Sequence, residues 1–572
     1  MKNIFIVFLV MAVHTAVGAQ KGNYVYFMKT WNFIQYYHPD VVSGKKDADS
    51  LFLATVGKIN EKTDENTIIT FLSQNLTHQF PELTVTDNPK DVLAVNQDFK
   101  WFQKNKRISP ENKQLLNDIY NHRFIAVPGN KDKLSEKKTP EFKKDENLPL
   151  AYRMLALAKL QGTIDYLYPH KYLMDKKAEM YFSDWVEQAV RCTSRKDFEI
   201  ILTKVVAAME DTHSFKFYNE LNEKNEIFHR LYFPPFDYVI KDNYILITEL
   251  LLPEICSKAN IHVGDQITEV NGQSVREVIK QKKELLSASN PETLLYMMSD
   301  FQRNLIWPDD QPRKDLKIQS KDHKTYHADT EFVNFTDKQQ RAVVTEYIQN
   351  KTRRRQHYKI DHQDIAYFKI NDVFSLMNNI PDEKLDDHMD AVFKDASSKK
   401  AIVFDMRGYP DWGGFVFHYV YKYFSPVENH FGKYYKPNIK NIGTYIPISY
   451  KEFGTYYPDL KNKTIHPYKG KVFLIVNPET LSMSEWNTMN LQNVFPQAKT
   501  IGQRTAGADG DISIIKLPGN YTLEFTGNGI FYYDNTQTQK VGVKIDEYIK
   551  YSDDDMIKKK DLELERVLKG LN

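Results

Sequence analysis

The chain has 572 residues, and its 77 lysines and arginines nearly balance its 75 aspartates and glutamates, giving a formal net charge of +2. A hydrophobic core stops growing at about 250–300 residues, so the length excludes a single-core protein. The basic residues are scattered, whereas a nucleic-acid-binding face would cluster them, and this excludes nucleic acid as the main partner. Cys192 and Cys256 leave open one disulfide or two free thiols, and they are too few for a cysteine-based metal site.

The first predicted element is a signal peptide over residues 1–19. Lys2 supplies a positive start, and the run 4–17 is almost wholly apolar and leads into small residues, which places cleavage before Gln20. The run is too short to remain as a membrane span, and no later stretch reaches the about 18 apolar residues that a span needs. We expect an exported protein, periplasmic or extracellular, without a membrane span.

Two copies of a small helical unit are predicted next, roughly at residues 24–100 and 150–215. The matched positions are mostly apolar and three or four residues apart, which is typical of a helix face buried against a neighbour. The pairs are Ile34/Ile164, Tyr36/Tyr166, Pro39/Pro169, Phe52/Phe182, Val56/Val186, Ile68/Phe198 and Leu72/Leu202. Thr63 and Thr193 are the expected helix N-caps. A chance match is the alternative, because identities are few.

From about residue 235 the pattern becomes β-rich. A strand run at 244–247 is followed by a short helical stretch, an alternating strand at 266–270 and the hairpin turn Asn271-Gly272. This pattern resembles a PDZ domain, whose exposed sheet edge captures an extended peptide. The alternative is an ordinary small β-unit with an Asn-Gly hairpin.

The last third of the chain alternates strands and helices. Short β-branched or aromatic runs lie at 365–370, 401–404 and 471–476. Helical stretches are predicted at about 383–396, 415–423 and 483–494. Continuous apolar strands separated by helices predict an α/β sheet that is buried on both faces.

A candidate nucleophile follows the strand at 471–476. Ser482 lies at the turn into the next helix, where the first amides and the positive end of the helix dipole favour an oxyanion. By itself the pattern favours a helix cap formed by Ser482 or Ser484 with Glu485.

A second loop, after the strand at 401–404, contains the pair Gly413-Gly414. Glycines let the backbone approach a ligand closely, although they also make tight turns. The amide of Met483 and that of Gly413 or Gly414 would together form an oxyanion hole. Serine also needs a base, and among 16 histidines His213, at the end of the second helical copy, is the best candidate. A lone histidine is usually structural, and the order of the motifs is what favours a catalytic role here.

The order of these motifs resembles that of the tail-specific (C-terminal processing) serine proteases, and is closest to their tricorn-like branch. The motifs, in order, are Asp211-Thr212-His213, the PDZ-like unit, Asp405-x-Arg407 with Gly413-Gly414, Ser482-x-Ser484-Glu485, Thr505-Ala506-Gly507 and Gly542-Val543. The resemblance implies roles for six residues: Ser482 as nucleophile, His213 as general base, Gly413, Gly414 and the amide of Met483 as oxyanion donors, and Thr212 as a link to a carboxylate.

Two departures from the family pattern concern proton transfer. The branch that uses a lysine base has it after Thr-x-Gly, but Ala508 stands there, so a Ser/Lys dyad is excluded at that position. The tricorn-like branch has a carboxylate shortly before Gly542-Val543, where this chain has Gln539-Lys540. His213 is then oriented by one of three other carboxylates, Asp534, Asp546 or Glu547, or it is oriented by no carboxylate.

The predicted organisation has five parts. They are a signal peptide at 1–19, a helical N-terminal domain at 20–130, a second helical unit within the protease core at 147–225, a PDZ-like domain at 235–330 and an α/β catalytic domain at 340–572. We expect a peptidase that acts on peptides or unfolded proteins without metal or organic cofactor. The alternatives are a peptide-binding protein with a decayed site and an esterase that uses the same site.

Overall fold

The computed structural model describes residues 22–80, 93, 96–123, 140–144, 146–175, 177–356, 362–424, 432–448 and 468–571. The predicted signal peptide lies outside these residues. Within them, no helix combines the length and apolar character needed to cross a membrane. Cys192 and Cys256 are both free thiols.

The chain before residue 230 is helical. Its helices are 22–37 (α1), Pro39–Val42 (α2), Ala48–Val56 (α3), Glu65–Ser73 (α4), Lys100–Gln103 (α5), Pro110–Asn121 (α6), Leu150–Gly162 (α7), Lys177–Arg191 (α8), Arg195–Ala207 (α9) and Lys224–Ile227 (α10), with a 3-10 helix at Thr212–Glu220. Helices α1 and α7, from the two predicted copies, pack together. The Asn32 side chain donates to the Ala158 carbonyl over 2.8 Å, and the rings of Tyr36 and Tyr166 lie 5.0 Å apart.

The N-caps of α4 and α9 lie one residue later than predicted. Asp64 and Ser194, not Thr63 and Thr193, have the extended backbone of a cap and accept an amide of the first turn. The Thr63 hydroxyl instead accepts the amide of Asn60.

An antiparallel sheet follows, in the order β2-β3-β4-β6-β7, with β5 paired to β4. The elements of this region are Tyr232–Phe233 (β1), Phe236–Ile240 (β2), Ile245–Leu250 (β3), Pro253–Lys258 (α11), Gln266–Val270 (β4), Gln273–Ser274 (β5), Val275–Lys283 (α12), Pro291–Met298 (α13), Arg313–Gln319 (β6), Thr325–Glu331 (β7) and Val333–Asn334 (β8). Asn271 and Gly272 connect β4 to β5 with φ angles of 50° and 75°. Both angles suit the turn type that joins twisted strands, which explains the Asn-Gly pair.

The last part of the chain is built on a five-stranded sheet in the order β18-β14-β13-β10-β9, in which every pairing is parallel. Its elements are Lys338–Gln356 (α14), Ile365–Lys369 (β9), Asp382–Ser398 (α15), Ala401–Asp405 (β10), Tyr421–Phe424 (α16), Gly432–Pro437 (β11), Tyr445–Pro447 (β12), Lys471–Val476 (β13), Met483–Val494 (α17), Lys499–Gly502 (β14), Ile512–Leu517 (β15), Tyr521–Thr526 (β16), Gly529–Tyr532 (β17), Glu547–Tyr548 (β18), Asp553–Ile557 (α18) and Leu562–Leu571 (α19). All residues of β10 are buried. The predicted multidomain fold, with helical units, a PDZ-like unit and a buried α/β sheet, is confirmed.

The hairpin β15–β16 joins the helical region to the catalytic region. The Ser214 hydroxyl, in the 3-10 helix, donates to the Glu524 carbonyl over 2.7 Å. Arg195, at the start of α9, donates to the Tyr521 hydroxyl over 2.5 Å and is buried with Glu199. These contacts fix His213, which lies in the 3-10 helix, beside the end of β16.

Candidate active site

The site lies at one edge of the parallel sheet. Strands β10 and β13 are parallel neighbours, so the loops that follow them leave from the same edge. The loop after β13 leads to Ser482, and the loop after β10 leads to Gly413 and Gly414. The Thr480 hydroxyl ties the loops together by donating to the Met406 carbonyl over 2.9 Å.

Ser482 has a strained backbone. Its φ of 56° and ψ of −117° lie outside the regions that a serine ordinarily adopts. The side chain does not cap α17, so the structure rejects the capping interpretation for Ser482. The Ser484 hydroxyl donates to the Gly408 carbonyl over 2.5 Å. A sharp, strained strand-to-helix turn whose serine side chain does not cap the helix is typical of a nucleophile elbow.

The Ser482 oxygen rests against Gly510. Its hydroxyl lies 3.4 Å from the Gly510 carbonyl, a long contact that a small rotation of the side chain breaks. Gly510 has a φ of 118°, a conformation that favours glycine and turns this carbonyl toward the serine.

The predicted oxyanion donors lie beside Ser482. Met483 is the first residue of α17, so its amide has no carbonyl partner within the helix. Gly413 packs against the Met483 side chain, since a Cβ on Gly413 would lie 3.3 Å from Cγ of Met483. The amides of Gly413 and Gly414 donate to no backbone carbonyl of the described residues. The positive end of α17 adds a favourable field for a negative oxygen.

His213 is buried, with 5% of its surface exposed. Its Nδ1 atom lies 2.8 Å from the Thr526 hydroxyl, at the end of β16. Its Nε2 atom is buried and has no hydrogen-bond partner among the described residues. The ring is therefore anchored through one nitrogen, and the other is available to a reacting group.

The Thr526 hydroxyl that contacts His213 also binds the carboxylate of Asp211. The Thr526 hydroxyl donates to Oδ1 of Asp211 over 2.8 Å, and the Thr526 amide donates to Oδ2 over 2.6 Å. Asp211 is fully buried. Burial raises the pKa of Asp211, but the nearby His213 imidazole and the two donors of Thr526 outweigh it, and the pKa is lowered from its ordinary value.

A short chain of contacts connects the serine to the histidine. Ser482 contacts Gly510, and a Cβ on Gly510 would lie 3.4 Å from Cγ2 of Thr526, whose hydroxyl contacts His213. Burial raises the pKa of Glu485, on the first turn of α17, and His213 is close enough for its charge to oppose that shift in part. The fold thus brings the two sequence-predicted reacting side chains, 269 residues apart in the chain, to one region.

Two other buried carboxyls support the loops on the serine side. Glu485 accepts the Thr505 hydroxyl over 2.5 Å and the amides of Gly507 and Ala508 over 2.8 and 3.0 Å. Burial raises the pKa of Glu485 despite these donors. Burial, and then the charge of Glu485, hold the pKa of Asp509 well above its ordinary value.

The predicted orienting residues do not reach His213. The Thr212 hydroxyl donates to the Ala506 carbonyl over 3.0 Å. Asp546 accepts the Thr500 amide over 2.7 Å, and Glu547 pairs with Lys499 at 2.9 Å. Glu547 belongs to β18, the outer strand of the parallel sheet, which explains its distance from the site. Asp534 pairs with Lys544 at 2.7 Å instead.

Sequence reasoning missed Asp211 and Thr526. Asp211 stands two residues before His213 in the same motif, so a local signal existed, but the carboxylate was expected near Gly542. Gln539, which occupies that expected region, lies beside Asp211, with its amide nitrogen 3.4 Å from Oδ1. Thr526 gives no local signal, because 313 residues separate it from His213.

The described residues contain no group of three or more His, Cys, Asp or Glu side chains arranged to hold a metal ion. The site is thus described by its serine, histidine, backbone amides and buried carboxyls.

Two parts of the chain match protein-family models. Residues 364–549 match Peptidase family S41, and residues 225–294 match the PDZ domain. The chain therefore carries a peptidase domain of family S41 and a PDZ domain. The prediction of a peptidase domain joined to a PDZ-like unit is confirmed.

Among curated proteins, none matches the chain. Solved structures with a similar fold include mature CPAF complexed with lactacystin, at 13% identity, covering 73% of this chain and 98% of that one with a TM-score of 0.46. The tricorn protease is 13% identical, with 74% and 36% covered and a TM-score of 0.32. The photosystem II D1 C-terminal processing protease is 12% identical, with 70% and 94% covered and a TM-score of 0.33.

Proposed function

We propose that this protein is a serine endopeptidase that cleaves peptides or unfolded proteins through an acyl-enzyme on Ser482, with His213 as general base. The observation that carries the proposal is the conformation of Ser482. Its strained backbone presents an oxygen that caps no helix, beside the first amide of α17, which has no carbonyl partner within the helix. Strain of this kind costs about 1–3 kcal/mol and persists where the surrounding structure fixes it, commonly at active sites.

The first half of the reaction forms the acyl-enzyme. The Ser482 oxygen leaves the Gly510 carbonyl and attacks the substrate carbonyl carbon, while its proton passes to Nε2 of His213. The carbonyl oxygen becomes negative and accepts hydrogen bonds from the amides of Met483 and of Gly413 or Gly414. The carbon–nitrogen bond then breaks, the amine leaves with the proton from His213, and an ester on Ser482 remains.

The second half restores the enzyme. Water attacks the ester carbon and gives one proton to Nε2 of His213. The carbon–oxygen bond to Ser482 breaks, and the serine oxygen takes the proton back from His213. The new carboxyl end of the substrate leaves. Every proton is accounted for by the serine, the histidine, the water and the leaving amine.

The edge of β15 supports binding of an extended substrate. This strand begins two residues after Gly510, and among the described residues only β16 pairs with it. Ile512 and Ile514 point the same way along it and are 44% and 59% exposed. A peptide that adds to this edge would cover both side chains and pass the Ser482 oxygen. The PDZ domain offers a second place for a peptide.

We also propose that the chain is exported, with cleavage before Gln20. The support is the positive start, the apolar run at 4–17 and the small residues that follow it. Amino-terminal sequencing of the protein recovered from the periplasm or medium tests this, and a start at Gln20 is expected.

A fluorophosphonate probe tests the reaction. We expect wild-type protein to be labelled and Ser482→Ala to be unlabelled, with Ser398→Ala, an exposed serine at the end of α15, as the labelled control. Cleavage of an unfolded protein should follow the same pattern. Absence of labelling together with tight peptide binding would favour a decayed peptide-binding protein. Turnover of small esters without cleavage of unfolded protein would favour an esterase.

A further inference from the structure

We propose that Asp211 and Thr526 form a positioning pair that holds the His213 ring in the tautomer a general base requires. The inference rests on the proposed function of His213. It assigns the orienting role to a carboxylate that precedes the histidine by two residues and acts through a threonine hydroxyl.

The hydroxyl of Thr526 decides the tautomer. It has one hydrogen and faces two groups, Oδ1 of Asp211 and Nδ1 of His213, each at 2.8 Å. An ionised carboxylate only accepts, so the hydroxyl donates to Asp211 and must accept from His213. Nδ1 of His213 therefore carries the hydrogen, and Nε2 carries the lone pair that removes the serine proton.

The buried surroundings make this arrangement rigid. Asp211 also accepts the His213 backbone amide over 3.2 Å and the Gln539 side chain over 3.4 Å. Its own amide donates to the Ser287 hydroxyl over 2.9 Å. The carboxylate thus fixes both the backbone and the ring of His213. These bonds to its oxygens also keep it ionised, in line with its lowered pKa.

The pair also stabilises the charged histidine. Oδ1 of Asp211 lies 3.7 Å from Nδ1 of His213, too far for a direct hydrogen bond but close enough for attraction in a buried site. When Nε2 takes the serine proton, the resulting imidazolium faces this carboxylate through the Thr526 hydroxyl. Gln539, where the family pattern has a carboxylate, is neutral and adds a donor to Asp211.

The test replaces Thr526 and measures the rate of phosphonylation by the fluorophosphonate probe. Thr526→Val keeps the shape and removes the hydroxyl, and should slow the chemical step by about 10²-fold or more with unchanged probe affinity. Thr526→Ser should restore a rate close to wild type. Thr522→Val, on the same strand and away from His213, is the control and should react like wild type.

The outcomes separate this inference from the proposed function. A labelled wild type with an unchanged rate in Thr526→Val would overturn the positioning pair alone. An unlabelled wild type would overturn the proposed function and this inference with it. Circular dichroism checks that the variants fold. If Thr526→Val unfolds, Thr526→Ser and Thr526→Cys carry the same test, because they differ in the hydrogen-bonding strength of one atom, and equal rates would contradict the pair.

Discussion

The base side of the site, around His213, and the nucleophile side, around Ser482, each contain a buried carboxyl group. The pKa values of these two groups are shifted in opposite directions. Asp211 and Asp509 are both buried, at 0% and 1% exposure. The pKa of Asp211 is lowered, because an imidazole and the Thr526 donors face it and outweigh burial. The pKa of Asp509 is raised by burial and by the nearby Glu485, since one oxygen accepts only the Gly510 amide and the other has no partner among the described residues.

This difference matches the charges that develop in the proposed reaction. A negative Asp211 favours the imidazolium that forms on His213. The raised pKa of Asp509, beside Gly510, disfavours a negative charge near the oxyanion that forms at Ser482. Equal burial therefore accompanies pKa shifts in opposite directions, and the number and charge of the donors decide the direction.

The largest effect is expected from removing the negative charge on the base side. Asp211→Asn keeps the size of the side chain but removes the charge that stabilises the imidazolium. Its side-chain NH2 group must also face one of the donors that bind the carboxylate in the wild type. We expect kcat on an unfolded protein substrate to fall by about 10³–10⁴-fold, the range found when a triad carboxylate is replaced. Steady-state kinetics measures this, with KM changed little.

Asp242→Asn is the matched control, because this aspartate is exposed. It should keep the wild-type rate. If Asp211→Asn folds and retains nearly full activity, the contrast between the two sides has no catalytic meaning.

A smaller effect is expected from a charge on the surface of the nucleophile side. Ile514→Asp places a carboxylate in water on β15, where Ile514 is 59% exposed. We expect cleavage of apolar peptides to fall by about 10-fold, the cost of losing one buried apolar contact, and phosphonylation of Ser482 to stay unchanged. Val541→Asp, at another exposed position, is the control. A loss of phosphonylation would show that the position acts on the chemistry and not on substrate binding.

The smallest effect concerns stability. The pKa of Asp509 in the folded protein lies above its ordinary value of 3.8. Its contribution to stability is therefore fully present below pH 3.8 and is lost as the pH rises through the folded pKa. Asp509→Asn has no such proton to lose.

We expect the melting temperature of Asp509→Asn to exceed that of wild type by a few degrees at mildly alkaline pH. The gap should shrink as the pH falls toward 4, and thermal unfolding at several pH values measures it. A gap that is constant or grows on acidification would contradict the raised pKa.

The sequence predicts the architecture, and it places Ser482 and the glycine pair after neighbouring strands, because those signals are local. Apolar runs mark β10 and β13, and the glycines and the helix start lie directly after them. The predicted orienting carboxylates have partners other than His213, because hydrogen bonds across the chain decide which carboxylate lies beside the ring. Asp546 and Glu547 are close in sequence to the expected position, but β18 carries Glu547 to the outer edge of the sheet, and Thr526 reaches His213 only through the packing of β16 on the 3-10 helix.

Hydrolysis of a reduced, unfolded protein by wild type and Ser482→Ala, followed by mass spectrometry of the fragments, tests the central proposal most directly. We predict new internal cleavage products with wild type and none with the variant, both proteins being folded and equally pure. Equal fragment patterns from the two proteins, or an intact substrate in both, would contradict peptide-bond cleavage by Ser482.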